Sequence, residues 1–223
     1  MTTLHFIVIW GGTAIIFLSF LIAVYVNNKI GVIQYMRGFY VIPLIALLLS
    51  LNTLLYRVFF VYTGTEYFIL EFGLIACDML VWSLFFLKLF SNTNDKRKIL
   101  IASISILIVS FLSFLNTELG SPNYHSIALL NICKTIFCIY YYHRLFTKPP
   151  NKKIQTEPAF WLITGVFFYA CLSIPCYALY DYIRYETPLF VATNIFAISN
   201  MLIIVMYLFF IKAYLCTIRL RKE

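Results

Sequence analysis

The chain has 223 residues, of which 62% are hydrophobic and 12% charged, and its formal net charge is +8. A soluble domain is nearer half apolar and about a quarter charged, so too little polar surface exists here to coat a water-facing globule. The basic residues sit in short links between apolar runs, which makes orientation in a bilayer, not nucleic-acid binding, the reading of the positive charge.

Taken in chain order, apolar runs of roughly 20 residues recur from end to end, each long enough to cross a hydrocarbon core of about 30 Å. They predict helices over about 5–26, 39–62, 67–90, 98–116, 124–146, 158–182 and 188–217. The first run has no Lys or Arg before Lys29 and no A-x-A cleavage signal, so it reads as a retained membrane helix and not a secretory leader. The breaks carry turn chemistry: Asn27-Asn28, Thr63-Gly64-Thr65, Ser91 to Asp95, Gly120-Ser121-Pro122-Asn123, Pro149-Pro150-Asn151 and Glu186-Thr187-Pro188. A β-barrel would show strands of about 10 residues with alternating polarity, and these runs are apolar throughout. The expected fold class is therefore all-α: a polytopic membrane protein whose single domain, 1–223, is a seven-transmembrane-helix bundle and whose main partner is the lipid bilayer.

Orientation follows from the links. Lys29 and Arg37, then Lys96, Arg97 and Lys98, then Arg144, Lys148, Lys152 and Lys153 occupy alternate links, and Arg219, Arg221 and Lys222 the tail, with Lys212 within two turns. The other links hold only Arg184, together with the acids Glu66, Glu118, Asp181 and Glu186. The positive-inside rule then places the N-terminus outside and the C-terminus in the cytoplasm. Aromatic residues near predicted helix ends, among them Tyr40, Tyr140, Tyr141, Tyr142, Trp161 and Tyr182, are expected at the headgroup level.

Ionisable residues at depth are costly and mark sites that deserve a partner. Arg57 and Glu71 fall about four or five residues from the outer ends of the second and third runs. Asp78 and Lys134 fall about ten or eleven residues into the third and fifth, near mid-membrane at a helical rise of about 1.5 Å per residue. Matched depths and opposite signs predict two pairs, Arg57 with Glu71 and Lys134 with Asp78, in a polar cluster centred on helix three. Asn131 shares a face with Lys134, and Asn52, Asn194 and Asn200 offer further amides. Two readings stay open: a ligand pocket reached from outside, or charges that only fix packing.

Other candidates carry less. His5, His125 and His143 fall in separate regions, and the six cysteines, Cys77, Cys133, Cys138, Cys171, Cys176 and Cys216, show no zinc spacing, so neither a metal nor a cofactor is expected. Pro43 and Pro175 fall inside predicted helices and suggest kinks. Gly11, Gly12, Gly73 and Gly165 offer close helix approach. No catalytic motif is present, so no catalytic residue is assigned and an enzymatic role is not expected.

The stretch Glu157-Pro158-Ala159-Phe160-Trp161-Leu162-Ile163-Thr164-Gly165 resembles the "PxFWxxxG" opening of helix six in uncharacterised bacterial seven-helix integral membrane proteins that are often encoded beside sensor histidine kinases. Asn194 and Asn200 resemble that group's polar marks in helix seven. The likeness covers residues 157–217. It implies a non-enzymatic sensor or signalling accessory in the cytoplasmic membrane of a bacterium, passing its signal to a partner protein, since no kinase or other output domain is present. The alternatives are a small transporter or channel using the same polar cluster, and a membrane lipid-active enzyme.

Overall fold

The computed structural model describes residues 3–30, 36, 38–59, 64–90, 92–115, 124–147, 153–179, 182 and 189–220. Side chains are described over 10–28, 36, 38–51, 72–90, 92–113, 115, 125–147, 153–179, 182 and 197–220. Among these residues the chain is all-helical, with seven α-helices and no strand: α1 Thr3–Tyr25, α2 Val41–Phe59, α3 Gly64–Leu89, α4 Thr93–Leu115, α5 Tyr124–Thr147, α6 Pro158–Ala178 and α7 Leu189–Leu220. Among the described residues four segments, Trp10–Asn28, Phe72–Leu89, Pro158–Ala178 and Ala197–Leu220, are long and apolar enough to cross a membrane. By length and composition they suggest a membrane protein.

Each helix packs on the next in the chain, and α7 returns to α1, so the seven close into a ring; α3 also reaches across to α5. The α6–α7, α5–α6 and α1–α7 seams are the most extensive. The odd helices end, and the even ones begin, at one end of the bundle. That end carries Lys88, Lys96, Arg97, Lys98, Arg144 and Arg219 and is called the basic end below.

Local chemistry sets the helix ends. A wide turn of five residues, Val26–Ile30, extends α1. Gly38, with φ of 86°, makes the left-handed turn into α2, a conformation that glycine adopts without steric cost. Because α2 begins at Val41, Pro43 falls in the first turn, where its missing N–H has no intrahelical acceptor to lose. The expected kink there is replaced by an ordinary helix start. Pro175 does lie inside α6, which ends at Ala178, earlier than the sequence suggests.

The largest difference is at α4. The apolar run predicts a start near 98, with Ser91 to Asp95 as loop, but the helix begins at Thr93. The Asn92 side-chain oxygen accepts the Asn94 N–H at 3.1 Å, and Asp95 falls in the first turn, where the helix dipole favours a carboxylate.

Packing in the ring interior is aromatic. Trp82 on α3 meets Phe39, Phe85, Phe86 and Phe210 with ring centroids 5.3–6.2 Å apart, and Phe86 meets Phe137 of α5 at 5.3 Å. Trp82, Phe86, Phe210 and Tyr207 are fully buried. Where lipid solvates apolar surface as well as protein does, such close contact is the main force between helices. Small residues serve the same end. A Cβ on Gly165 would stand 2.8 Å from the Phe209 Cβ and 3.0 Å from the Met206 carbonyl oxygen. Gly165 thus sets the α6–α7 separation, whereas Gly11 and Gly73 face no atom within 4 Å. Gly165→Ala is expected to cost about 1–3 kcal/mol by forcing that seam apart, and Gly73→Ala to cost nothing measurable, as read by thermal unfolding in detergent.

Candidate functional site

Asp78 lies near the middle of α3 and Lys134 near the middle of α5. Both helices run in the same direction, so the two residues reach the same height, and the Lys134 ammonium donates to Asp78 Oδ2 at 2.5 Å. Lys134 is buried, with its side chain 10% exposed, and Asp78 is more open at 22%. An ion pair this far into an apolar bundle loses much hydration, and its Coulomb attraction must offset that loss.

Asn131 is 2% exposed and gives its amide to Ser173 of α6 at 3.0 Å. It shares the α5 face with Lys134, as expected, but its hydrogen bond runs sideways to α6 and not to the ion pair. Beside it, the hydroxyls of Tyr169 and Tyr177 face each other at 3.5 Å. The side chains of Arg57 and Glu71, the other expected pair, and those of Asn52 and Asn194, lie outside the described residues. So does His5; His125 and His143 are exposed at opposite ends of α5.

On the basic side of the ion pair sits the aromatic layer of Trp82, Phe86, Phe137 and Phe210. Beyond it lies a second charge pair that the sequence reading did not identify. Arg144 in the last turn of α5 pairs with Asp95 in the first turn of α4, and Tyr140 donates its hydroxyl to Asp95 Oδ1 at 2.6 Å. Phe90 packs on the Tyr140 ring at 5.2 Å. By sequence both residues belong to links, because Asp95 stands among loop-forming asparagines and Arg144 close to a basic run. The missed signal was the Asn-x-x-Asp spacing of a helix start. Removing the buried charge by Asp95→Asn is expected to cost about 2 kcal/mol. Arg144→Gln is expected to cost more, since it leaves the Asp95 carboxylate, with its side chain 6% exposed, without its counter-charge. Unfolding midpoints of the two variants check both.

The tyrosines at 140–142 stand in the last two turns of α5. Their side chains turn toward neighbouring helices: Tyr141 is buried, and the Tyr142 hydroxyl meets that of Thr164 on α6 at 2.8 Å. Three successive residues on a helix cover some 200° of its circumference, and α5 is enclosed by α4, α6 and α3 over most of that arc.

Among the described residues no group of three or more His, Cys, Asp or Glu side chains is placed to hold a metal ion. Cys133 and Cys138, either side of Lys134, are buried, and no disulfide links any of the six cysteines.

No protein-family model matches the chain, and neither a curated protein nor a solved structure shows significant similarity to it.

Proposed function

We propose that the chain is a seven-span protein of a bacterial cytoplasmic membrane, N-terminus outside and C-terminus inside. In this reading it acts as a non-enzymatic sensor or signalling subunit. Its responsive element is the Asp78–Lys134 pair.

One observation carries this reading: the Asp78–Lys134 charge pair ties α3 to α5 in the middle of an apolar ring, with Asp78 the more accessible partner. In this reading the bundle has two arrangements, one with the pair tied and one with it released. A ligand that supplies a charge to either partner binds the released arrangement better and shifts the balance toward it. The movement of α5 would then be felt at the basic end, where Arg144 holds α4 through Asp95. A partner protein would read that end, since the links there are short.

The aromatic layer favours a sensor over a conduit. Trp82, Phe86 and Phe210 are fully buried between the ion pair and the basic end, and a transport path needs polar or wettable lining there. Reporters at the two chain termini are expected to lie in opposite compartments. The protein reconstituted in liposomes is expected to pass no more ions than protein-free liposomes. A flux that disappears in Asp78→Asn would replace the sensor with a transporter.

A further inference from the structure

The geometry points to a binding site for an anionic phospholipid on the outer face of the α6–α7 seam at the basic end, with Lys212 and Lys153 holding the headgroup phosphate. It rests on the membrane placement proposed above but not on the role of the ion pair.

Three observations meet there. Lys212 is exposed on α7, and its ammonium lies 5.7 Å above the Trp161 ring. It forms no ion pair with an acidic side chain among the described residues. The ring is no ion-pair partner, so the ammonium keeps hydrogens to donate to an anion. Trp161 is itself fixed, donating its indole N–H to the Gln155 carbonyl at 2.8 Å. Gln155 belongs to the short turn Ile154–Thr156 that begins beside exposed Lys153. That contact holds Lys153 at the same end of the seam as Lys212.

Below the two lysines runs an apolar track. Trp161 stacks on Phe209 at 5.9 Å and 23°, and Phe209 on Phe168 at 6.3 Å and 6°. Phe168 is half exposed on the outside of the bundle. Three stacked rings from two helices make a continuous apolar strip along the seam, where Gly165 draws the helices together. Two cations at the end of an apolar strip match a phosphate above an acyl chain. A free phosphate would use the lysines but not the strip. Basic pockets between helices at the cytoplasmic side recognise lipid headgroups in this way.

Native mass spectrometry of the purified full chain, titrated with phosphatidylglycerol or phosphatidylcholine of identical acyl chains, tests the site. Phosphatidylglycerol is expected to be retained more tightly. Lys212→Gln is expected to weaken it roughly fivefold, and Lys153→Gln with Lys212→Gln about twenty-five-fold, with phosphatidylcholine unchanged. Lys212→Arg should retain the wild-type preference. Lys98→Gln removes an equivalent charge from α4 at the same end and should leave retention at the wild-type level. Equal retention by wild type and Lys212→Gln overturns the site. So does an equal loss in Lys98→Gln, which would mean diffuse attraction, or displacement of the lipid by equimolar glycerol 3-phosphate, which would mean a soluble phosphate ligand. Asp78→Asn is expected to keep the lipid, so a failure of the sensor reading leaves this result standing.

Discussion

Lys134→Met is expected to lower the stability of the detergent-solubilised protein by about 3–5 kcal/mol, the cost of leaving a carboxylate inside the bundle without its counter-charge. Asp78→Asn should cost less. Its amide oxygen still accepts from the Lys134 ammonium, so the charge left behind keeps a hydrogen-bond partner. The combination Asp78→Asn with Lys134→Met removes both charges, and its loss should fall well short of the sum of the single losses. A double-mutant cycle by denaturant or thermal unfolding is expected to return a coupling of about 1–3 kcal/mol. Additive losses would mean that the 2.5 Å contact contributes nothing beyond its parts. The same variants bear on signalling. A released pair mimics a bound ligand, so Lys134→Met should bias any output in the direction that the ligand does.

The second large effect is expected at Trp82. Trp82→Ala empties the centre of the aromatic layer, where the indole touches rings from α3, α7 and the turn before α2. A loss of about 3–5 kcal/mol is expected from the cavity and the contacts forfeited. Trp82→Phe keeps most of the volume and should cost under about 1.5 kcal/mol. If Trp82→Ala left the unfolding midpoint unchanged, the layer would be a loosely filled gap, and its use as an argument against a conduit would fail with it. Ion flux through Trp82→Ala liposomes, absent from the wild type, would show that this layer is what seals the ring.

The all-helical architecture and the partnership of Asp78 with Lys134 were both legible in the sequence, for the same physical reason. In an apolar environment an unsatisfied backbone or an unpaired charge is too costly to tolerate. Long apolar runs must therefore be helical, and opposite charges at one depth must meet. Helical rise alone then gave the height of each charge. What the sequence left hidden depends on rotation about the helix axis and not on height. Asn131 was placed on the right face, yet nothing in the sequence told that Ser173, and not the ion pair, would receive its amide. Tyr141 and Tyr142 stand near a helix end, and nothing in the sequence told that both would turn toward neighbouring helices there. Asp95 and Arg144 were hidden differently. Each sits within one turn of a helix end, where loop-forming composition outweighs the periodic signal, and only the capping geometry of Asn92 draws Asp95 into α4. Gly165 was one of four glycines with the same expected role. The close approach of Phe209 and Met206 singles it out, and that approach depends on which faces of α6 and α7 meet.

The most direct test of the account is to exchange the two charges. Asp78→Lys and Lys134→Asp, made singly, each place two like charges in contact and should sharply reduce the yield of folded protein. Made together they restore an attraction between α3 and α5 at the same height. Recovery of most of the lost thermal stability in the exchanged protein is the expected result. An exchanged protein no more stable than the worse single variant would show that α3 and α5 are not held together by this charge pair.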